Sequence, residues 1–440
     1  MTCSPVMRSL DMTKNRLKEL ACTAIDANRE DIIAFGEACN ACPELGYAEH
    51  KTAKAMKSKL ESLGVGDFSN TAVTGLKGWM RGKNHFASIM VLGEMDAVIS
   101  PQHPFADKTT GAAHSCGHAA QLAVLAGCVY GISQVISHLD GDVCFTAAPA
   151  EEFIQIEERQ SLRKAGKISA LGGKQQMIIE GAFDDIDIAM MVHALTDAPK
   201  PTVITEGTSL GFIGKEIRFI GREAHAGTAP WLGVNALNAA SLAIQAIHAL
   251  RETFRDEDMI RVHPIITKGG DIVNTVPADV RMTCYVRGIT LEAVAKVNEQ
   301  VNRAITCCAE ALGAVAEIED IPGYIPLMQN PMLSNLFAKN AKKAAPGICV
   351  EDGLIFGGST DMGDVSWLIP SIHPQISGFS GALHSAGFAV ADLELAYILP
   401  AKVLAMMVID LLVDGAEKAL EIRDVYPRRA KEAYVDALGF

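Results

Sequence analysis

Three apolar runs in this chain each lead directly into residues of metal-binding type, and no other feature constrains the fold as much. Asp142-Val-Cys-Phe-Thr-Ala-Ala148 reads as a buried strand and runs into Glu151-Glu152. Asp187-Ile-Ala-Met-Met-Val192 reads as another and ends in His193. Ala87–Leu92 is the third, followed by Glu94 and Asp96. Cys116-Gly-His118 stands at the head of an apolar segment, Ala119–Leu139, whose spacing predicts one long helix. In an open α/β sheet the strand C-termini and the adjacent helix starts line the ligand crevice. Thiolate, imidazole and carboxylate meeting there are ligands of first-row metals, and one acid of the doublet is left free to act as a base.

Taken singly these residues have plainer readings. Cys116 alone is a small buried hydrophobe, His118 a helix cap, His193 a satisfied core histidine and Glu151-Glu152 a solvated pair. Together they are harder to dismiss, because two carboxylates in one crevice repel and a cation relieves the repulsion. Glu94 and Asp96 are either surface acids or a pair that orients an imidazole. His384 lies in a Gly- and Ser-rich loop, Gly378–Ser385, a setting where function is common.

At 440 residues the chain is long enough for two domains. Its 39 Lys+Arg against 52 Asp+Glu give a net charge of -13 with no dense basic cluster, which argues against nucleic acid as a partner. Its 11 cysteines are scattered without framework spacing, and the first residues lack a signal-peptide pattern. Both point to the reducing cytoplasm. Ala119–Leu139 is broken by Gln121, Ser133, Gln134 and Ser137, and Leu395–Val413 by Pro400, Lys402 and Asp410. Both are expected to be buried helices rather than membrane spans.

A helix is predicted from Leu17 to Phe35 and a second ending near Leu63. Strands and helices then alternate to Val192, as in a mostly parallel sheet. The character changes near Gly207. Lys215–Ile220 alternates with period two, a helix is predicted over Gly233–Thr253, and strands follow at Ile260–Thr267 and Asp279–Arg287. A helix at Leu291–Ala311 and a strand at Ala314–Glu319 complete β-α-β-β-α-β, the ferredoxin-like order. The expected fold class is therefore α/β. One mostly parallel catalytic domain (1–206 and 321–440) is interrupted by an inserted domain (207–320).

The joint pattern resembles the zinc-peptidase superfamily of aminoacylases and carboxypeptidases. Within it, the chain looks like the amidohydrolase branch of hippurate hydrolase, auxin-conjugate hydrolases and p-aminobenzoyl-glutamate hydrolase. The resemblance runs over Pro43-Glu-Leu-Gly with Glu49 and Thr52, Glu94-Met-Asp-Ala97, His114-Ser-Cys-Gly-His118, Pro149-Ala-Glu-Glu152 and Met191-Val-His193. It continues through Gly221-Arg-Glu-Ala-His225, Gly269-Gly with Asn274 and Pro277, and Leu383-His384-Ser385. The segment Gly358–Trp367 is most similar to the p-aminobenzoyl-glutamate hydrolases.

The resemblance implies that Cys116, His118, Glu152, His193 and His384 are metal ligands and that Glu151 is the general base. It implies that His225 is lent to a partner subunit's site, that Asn274 orients substrate, and that the insert is a dimerisation or lid domain. One or two divalent ions (Zn, Mn, Co or Ni) suit the mixed S, N and O donors. The chain departs from the pattern at Ala119-Ala-Gln121, where relatives often carry an acid or amide and then a histidine, and at Asn40-Ala-Cys42, often histidine-rich. Gln121 is expected near the crevice mouth as a substrate-binding amide. Arg287, at the end of a strand of the insert, is expected to pair with a substrate carboxylate.

The expected function is metal-dependent hydrolysis of a C–N bond in a small carboxylate-bearing substrate, an N-acyl or N-aroyl amino acid. One alternative is hydrolytic deamination of an aromatic amine, as in 5-nitroanthranilate aminohydrolase, an outlier of the same superfamily. Another is a non-catalytic binding protein on the same fold. The expected assembly is a homodimer or higher homo-oligomer with a small-molecule substrate and no membrane partner.

Overall fold

The computed structural model describes residues 13–353 and 355–439. Its main sheet has six strands in the order Gly66–Thr71, Gly75–Met80, Asp142–Ala148, Ser88–Glu94, Ile188–Met190, Ser371–Ile372. The first two pairings are antiparallel and the remaining three parallel. Glu94 lies opposite Ala148 and Met190 opposite Val91, so the parallel strands end together. Period-two alternation divides the strand residues between two cores. Ile89 and Val91 pack with the helix His118–Ser133, whereas Met90 and Leu92 pack with Met177, Phe183 and Met362 on the opposite face. A strand buried on both faces has few positions for a polar residue, which is why these segments read as near-continuous apolar runs.

Helix His118–Ser133 is buried along its length except at Tyr130 and Ser133. The helices Lys14–Ala27, Arg29–Asn40 and Leu399–Leu412 cover it. Contact is close at glycines: a Cβ on Gly127 would lie 2.7 Å from the Ala401 Cβ, and one on Gly36 2.9 Å from the Ala123 Cβ. The helical segment Glu394–Leu412 is long and apolar enough to cross a membrane, but 83% of its apolar window is buried inside the protein.

Two helix expectations need correction. Leu17–Phe35 is not one helix, because the chain leaves helical geometry at Asn28 (φ -111°, ψ 16°). The Asn28 side chain donates back to the Ala24 carbonyl and caps the first helix. The helix predicted to Leu139 ends at Ser133, followed by a short turn of 3₁₀ helix at Ile136–His138. The chain must reverse there to enter the strand Asp142–Ala148. A helix at Ile156–Lys164 was not expected.

A second, fully antiparallel sheet comprises Arg261–Lys268, Asp279–Gly288, Gly211–Ile220 and Val315–Pro322, in that spatial order. Helices Ala236–Leu250 and Leu291–Ala311 cover one face and enclose a separate core that includes Phe219, Ile247, Met282, Val301 and Ile305. Order and pairing are those of a ferredoxin-like unit. A small third sheet pairs His193–Thr196 with Gln375–Ser380, tying the chain after His193 to the loop that carries His384.

Candidate active site

Four parallel strand ends deliver the polar residues to one edge. Ser88–Glu94 brings Glu94 and Asp96, Asp142–Ala148 brings Glu151 and Glu152, Ile188–Met190 brings His193, and Ser371–Ile372 brings His373. Gly117 precedes the helix with φ 93°, and a Cβ there would lie 2.9 Å from the Ala194 Cβ. Only glycine fits this turn, which sets Cys116 and His118 on either side of it. His384 also adopts a left-handed backbone (φ 60°), unusual for a histidine, and its N–H donates to the Ser115 carbonyl at 2.7 Å.

Cys116 Sγ lies 3.5 Å from His193 Nε2 and 3.2 Å from His384 Nε2, and His384 Nε2 lies 3.1 Å from Glu152 Oε1. With metal–ligand bonds of about 2.0–2.3 Å, neighbouring ligand atoms of a tetrahedral site stand about 3.3–3.6 Å apart. These atoms therefore fit around one metal ion. Burial and then the Glu152 carboxylate push the Cys116 thiol well above its ordinary value. A cation at the centre reverses that balance. Burial lowers the pKa of His193, leaving a neutral imidazole suited to ligation.

His118 is fully enclosed beside this group. Its Nδ1 lies 2.8 Å from the Asp96 carbonyl oxygen and its Nε2 3.1 Å from Glu94 Oε2. Its Nε2 is 3.9 Å from Glu151 and 4.0 Å from Glu152. Burial opposes its protonation, but Glu94 and Asp96 outweigh burial and raise its pKa well above the ordinary value. Glu94 and Asp96 are both wholly buried, so the surface reading of these acids is excluded. The Asp96 carboxylate also accepts from the Glu152 N–H at 2.9 Å, fixing the acid doublet. Glu49 supports the same turn, accepting from the Ala150 N–H at 2.8 Å and from Thr74 at 2.6 Å. The Tyr324 hydroxyl donates to the Glu151 carbonyl. Burial, then Glu94 and Glu152, push the Glu151 carboxyl well above its ordinary value.

A cavity of about 530 Å³ opens over Cys116, Glu151, Glu152, His193 and His384. The second sheet contributes Phe212, Tyr285 and Arg287 to its wall. Phe153, Phe212, Tyr285 and Tyr324 form a ring cluster, with Phe212 5.0 Å from Phe153 and 5.3 Å from Tyr324. The Arg287 guanidinium lies over Phe212 and Tyr285 and donates to Ser359 Oγ at 2.8 Å. Among the described residues it forms no ion pair, so the cavity has a cation without a protein counter-ion.

Gln121 is a correction. It does not line the cavity: it is buried, donates to Glu94 Oε2 at 2.8 Å and accepts from the Glu94 N–H at 2.9 Å. One turn into the helix, its side chain faces the sheet rather than the crevice. His225 and Asn274 are exposed and line no part of this subunit's cavity. They stand together, the Ala226 N–H donating to the Asn274 carbonyl at 2.8 Å. His225 Nδ1 accepts from the N–H groups of Gly227 and Thr228, both at 3.1 Å, which leaves an outward Nε2–H donor.

Sequence reasoning missed Lys174, Asp361 and His373. Lys174 and Asp361 are wholly buried and paired with each other. Lys174 lies in the short helix Gly173–Ile179, where a lysine carries no signal of its own, and Asp361 lies inside the segment Gly358–Trp367. His373 is buried against His193, with ring centroids 5.3 Å apart and its Nε2 unpaired. It follows a strand of two residues, too short to leave a periodic signal.

Residues 208–307 match the peptidase dimerisation domain. The chain is 30% identical over 270 residues to the Xaa-Arg dipeptidase of Mus musculus, covering 57% of this chain and 60% of that protein. The match thus spans less than two thirds of that relative's length. It is 24% identical over 327 residues to the N-acyl-L-amino acid amidohydrolase of Geobacillus stearothermophilus, covering 72% of this chain and 82% of the relative. The crystal structure of a Bacillus subtilis protein described as a dinuclear metal-binding peptidase of the M20 family superposes with a TM-score of 0.68. That match is 22% identical and covers 88% of this chain and 99% of the other. At that identity it speaks to the fold alone.

Proposed function

We propose that this chain, whose residues 208–307 match the peptidase dimerisation domain, is a member of the M20 peptidase family and a metal-dependent amidohydrolase of N-acyl or N-aroyl amino acids. The observation that carries the reading is the composition of one cavity. Its floor holds Cys116, His193, Glu152 and His384 at ligand spacing with Glu151 beside them, and its wall holds the unpaired Arg287. The mixed thiolate, imidazole and carboxylate set suits a Zn, Mn, Co or Ni ion. When bound, such an ion lowers the pKa of water towards ~7 and polarises a carbonyl.

The chain's own groups supply the rest. Glu151 takes the proton of the attacking water and passes it to the departing amide nitrogen. Arg287 pairs with the substrate carboxylate, and the ring cluster of Phe153, Phe212, Tyr285 and Tyr324 seats an apolar or aryl acyl group. His225, with its Nε2–H turned outward, reaches the site of a second subunit and donates to the oxygen of the scissile carbonyl. Asn274 travels with it. Residues 207–320 are read as the dimerisation unit and 1–206 with 321–440 as the catalytic one. The described cysteines are all unpaired, which suits a reducing cytoplasm.

The aromatic wall also admits an anthranilate-like amine, which would make the reaction a hydrolytic deamination. One experiment separates the two. Metal-loaded protein is incubated in ¹⁸O-water with N-acyl amino acids, p-aminobenzoyl-glutamate and anthranilates. Label in a released carboxylate supports the amidohydrolase. Label in a phenol, with ammonia released, replaces it with the deaminase. No turnover of any member removes the enzymatic reading.

A further inference from the structure

We propose that the active-site cavity continues, behind a gate made by Phe153 and Tyr285, into a second apolar pocket that takes the far end of a long straight acyl chain. The inference rests on the amidohydrolase reading above and names the acyl class for which that site is shaped.

The second pocket has a volume of about 220 Å³ and includes Ile156, at the start of helix Ile156–Lys164, and Thr283, Ile265 and Ile321 of the antiparallel sheet. That is far more than the ~10–15 Å³ that one water needs. Phe153 and Tyr285 line both this pocket and the cavity over Glu151 and Glu152. Phe153 directly follows Glu152 in the chain, so the shared wall begins beside a proposed metal ligand.

Strand periodicity explains the continuity. Arg287, Tyr285 and Thr283 share one face of the strand Asp279–Gly288, at steps of about 7 Å. Arg287 lines the first cavity, Thr283 the second pocket and Tyr285 both. Tyr285 lies opposite Gly214 on one neighbouring strand and His263 on the other. A Cβ on Gly214 would meet Tyr285 Cε1 at 3.4 Å, so the ring lies across the glycine and partitions the two spaces. The partition is weakly held. The Tyr285 hydroxyl reaches the Phe153 carbonyl oxygen at 3.4 Å, beyond the ~2.5–3.0 Å of a good O–H···O bond. Turning the ring aside costs that long bond and one edge contact with Phe153, whose ring centroid is 6.4 Å away.

The lining suits hydrocarbon. Ile265 is 51% exposed and Ile156 half-buried, apolar surface that a chain laid in the pocket would remove from water. The charged members do not compete. Lys215 is already paired with Asp320 and Asn302. His263 is exposed and Glu216 half-buried, so both keep contact with solvent. Among the described residues the pocket thus offers no enclosed, unpaired charge, and a chain end without charge is what it accepts. Acetyl or benzoyl groups end within the first cavity; only a longer chain passes the gate.

The test uses probes that cannot be hydrolysed, so it does not depend on turnover. Methane-, hexane- and dodecanesulfonyl-alanine carry the carboxylate and the chain on an inert sulfonamide. Their binding to full-length, metal-loaded protein is measured by calorimetry. Affinity is expected to rise about fourfold for each methylene that enters the second pocket, and about a hundredfold or more from the methyl to the dodecyl probe. Thr283→Phe fills the pocket from the sheet. It is expected to bind the methyl probe as the parent does and to lose about tenfold or more of the gain with chain length. Should that variant fail to fold, Ile265→Trp, at an exposed position of an edge strand, is read in the same way. No gain with chain length in the parent, or an equal gain in parent and folded variant, overturns the proposal. Hydrolysis of N-acyl-alanines is followed on the same samples. If none is turned over, the amidohydrolase reading fails, whatever the sulfonamides do.

Discussion

Glu151 is held by its backbone and left free at its carboxylate. The Tyr324 hydroxyl fixes its carbonyl, and the following N–H is bound by Asp96, yet its side chain faces the cavity. A group placed this way can move protons without being needed for the metal. Glu151→Gln is therefore expected to keep its metal while turnover falls by about 10²–10⁴. Steady-state kinetics with metal analysis on the same sample checks this, and near-normal turnover transfers the role elsewhere. Asp364 is a second residue with a readable consequence. Burial raises its pKa from 3.8 to about 8, against the opposing hydrogen bond from the Tyr434 hydroxyl at 2.7 Å. The folded protein thus keeps a proton that the unfolded chain has already released. Between pH values of about 4 and about 8 the native state binds more protons than the unfolded state, so this group makes stability fall as pH rises through that window. Asp364→Asn is expected to remove the fall. Denaturant melts at pH 5 and pH 8 should show the variant gaining on the parent at the higher pH; an equal difference at both values counts against the assignment.

At the scale of elements, the acid doublet depends on a helix that carries none of its atoms. Helix Gly173–Ile179 begins against the turn Pro149–Ala150, and a Cβ on Gly173 would stand 1.6 Å from the Pro149 carbonyl oxygen. No side chain rotates out of that contact, because both atoms belong to or adjoin backbone. Gly173→Ala must therefore push the helix away from the turn that presents Glu151 and Glu152. Overpacking of this kind costs about 1–3 kcal/mol, and activity is expected to fall further than stability because the displaced turn is the one that presents the base. Gly66→Ala, where nothing lies within 4 Å of the added carbon, is the control and should change neither. Equal behaviour of the two variants in thermal melts would show that the contact has no weight.

For the whole molecule, the notable surface is around His225 and Asn274. Trp231, Leu232, Ile272 and Val273 are all exposed there, an apolar group beside two polar residues that line no cavity of their own subunit. Exposed patches of this kind mark interaction sites, and residues 208–307 match a dimerisation domain. Two inactive variants should then complement each other. His225→Ala subunits mixed with Glu151→Gln subunits are expected to regain activity, since a mixed dimer has one site with both residues intact. Recovery absent after verified subunit exchange, or a fully active monomer in native mass spectrometry, rules out action across the interface.

What the sequence determined by itself was local. Runs such as Asp142–Ala148 and Ile188–Met190 read correctly because a strand buried on both faces is predominantly apolar, whatever surrounds it. The ferredoxin-like order was legible for a related reason, since period-two and helical spacing are properties of short windows. The residues at the strand ends followed from these. The break at Asn28 was not legible, because a side chain returning to the Ala24 carbonyl competes with a helix that spacing alone would continue. The pairings that decide the chemistry belong to the tertiary structure. Gln121 meets Glu94 across 27 residues, Lys174 meets Asp361 across 187, and His384 meets Cys116 across 268. From the sequence, Gln121 is an amide near a crevice and Lys174 an ordinary helix lysine. Only folding shows that both are spent on a buried carboxylate. The free energy of a charge depends on what stands within a few ångströms of it, and separation along the chain carries no record of that distance.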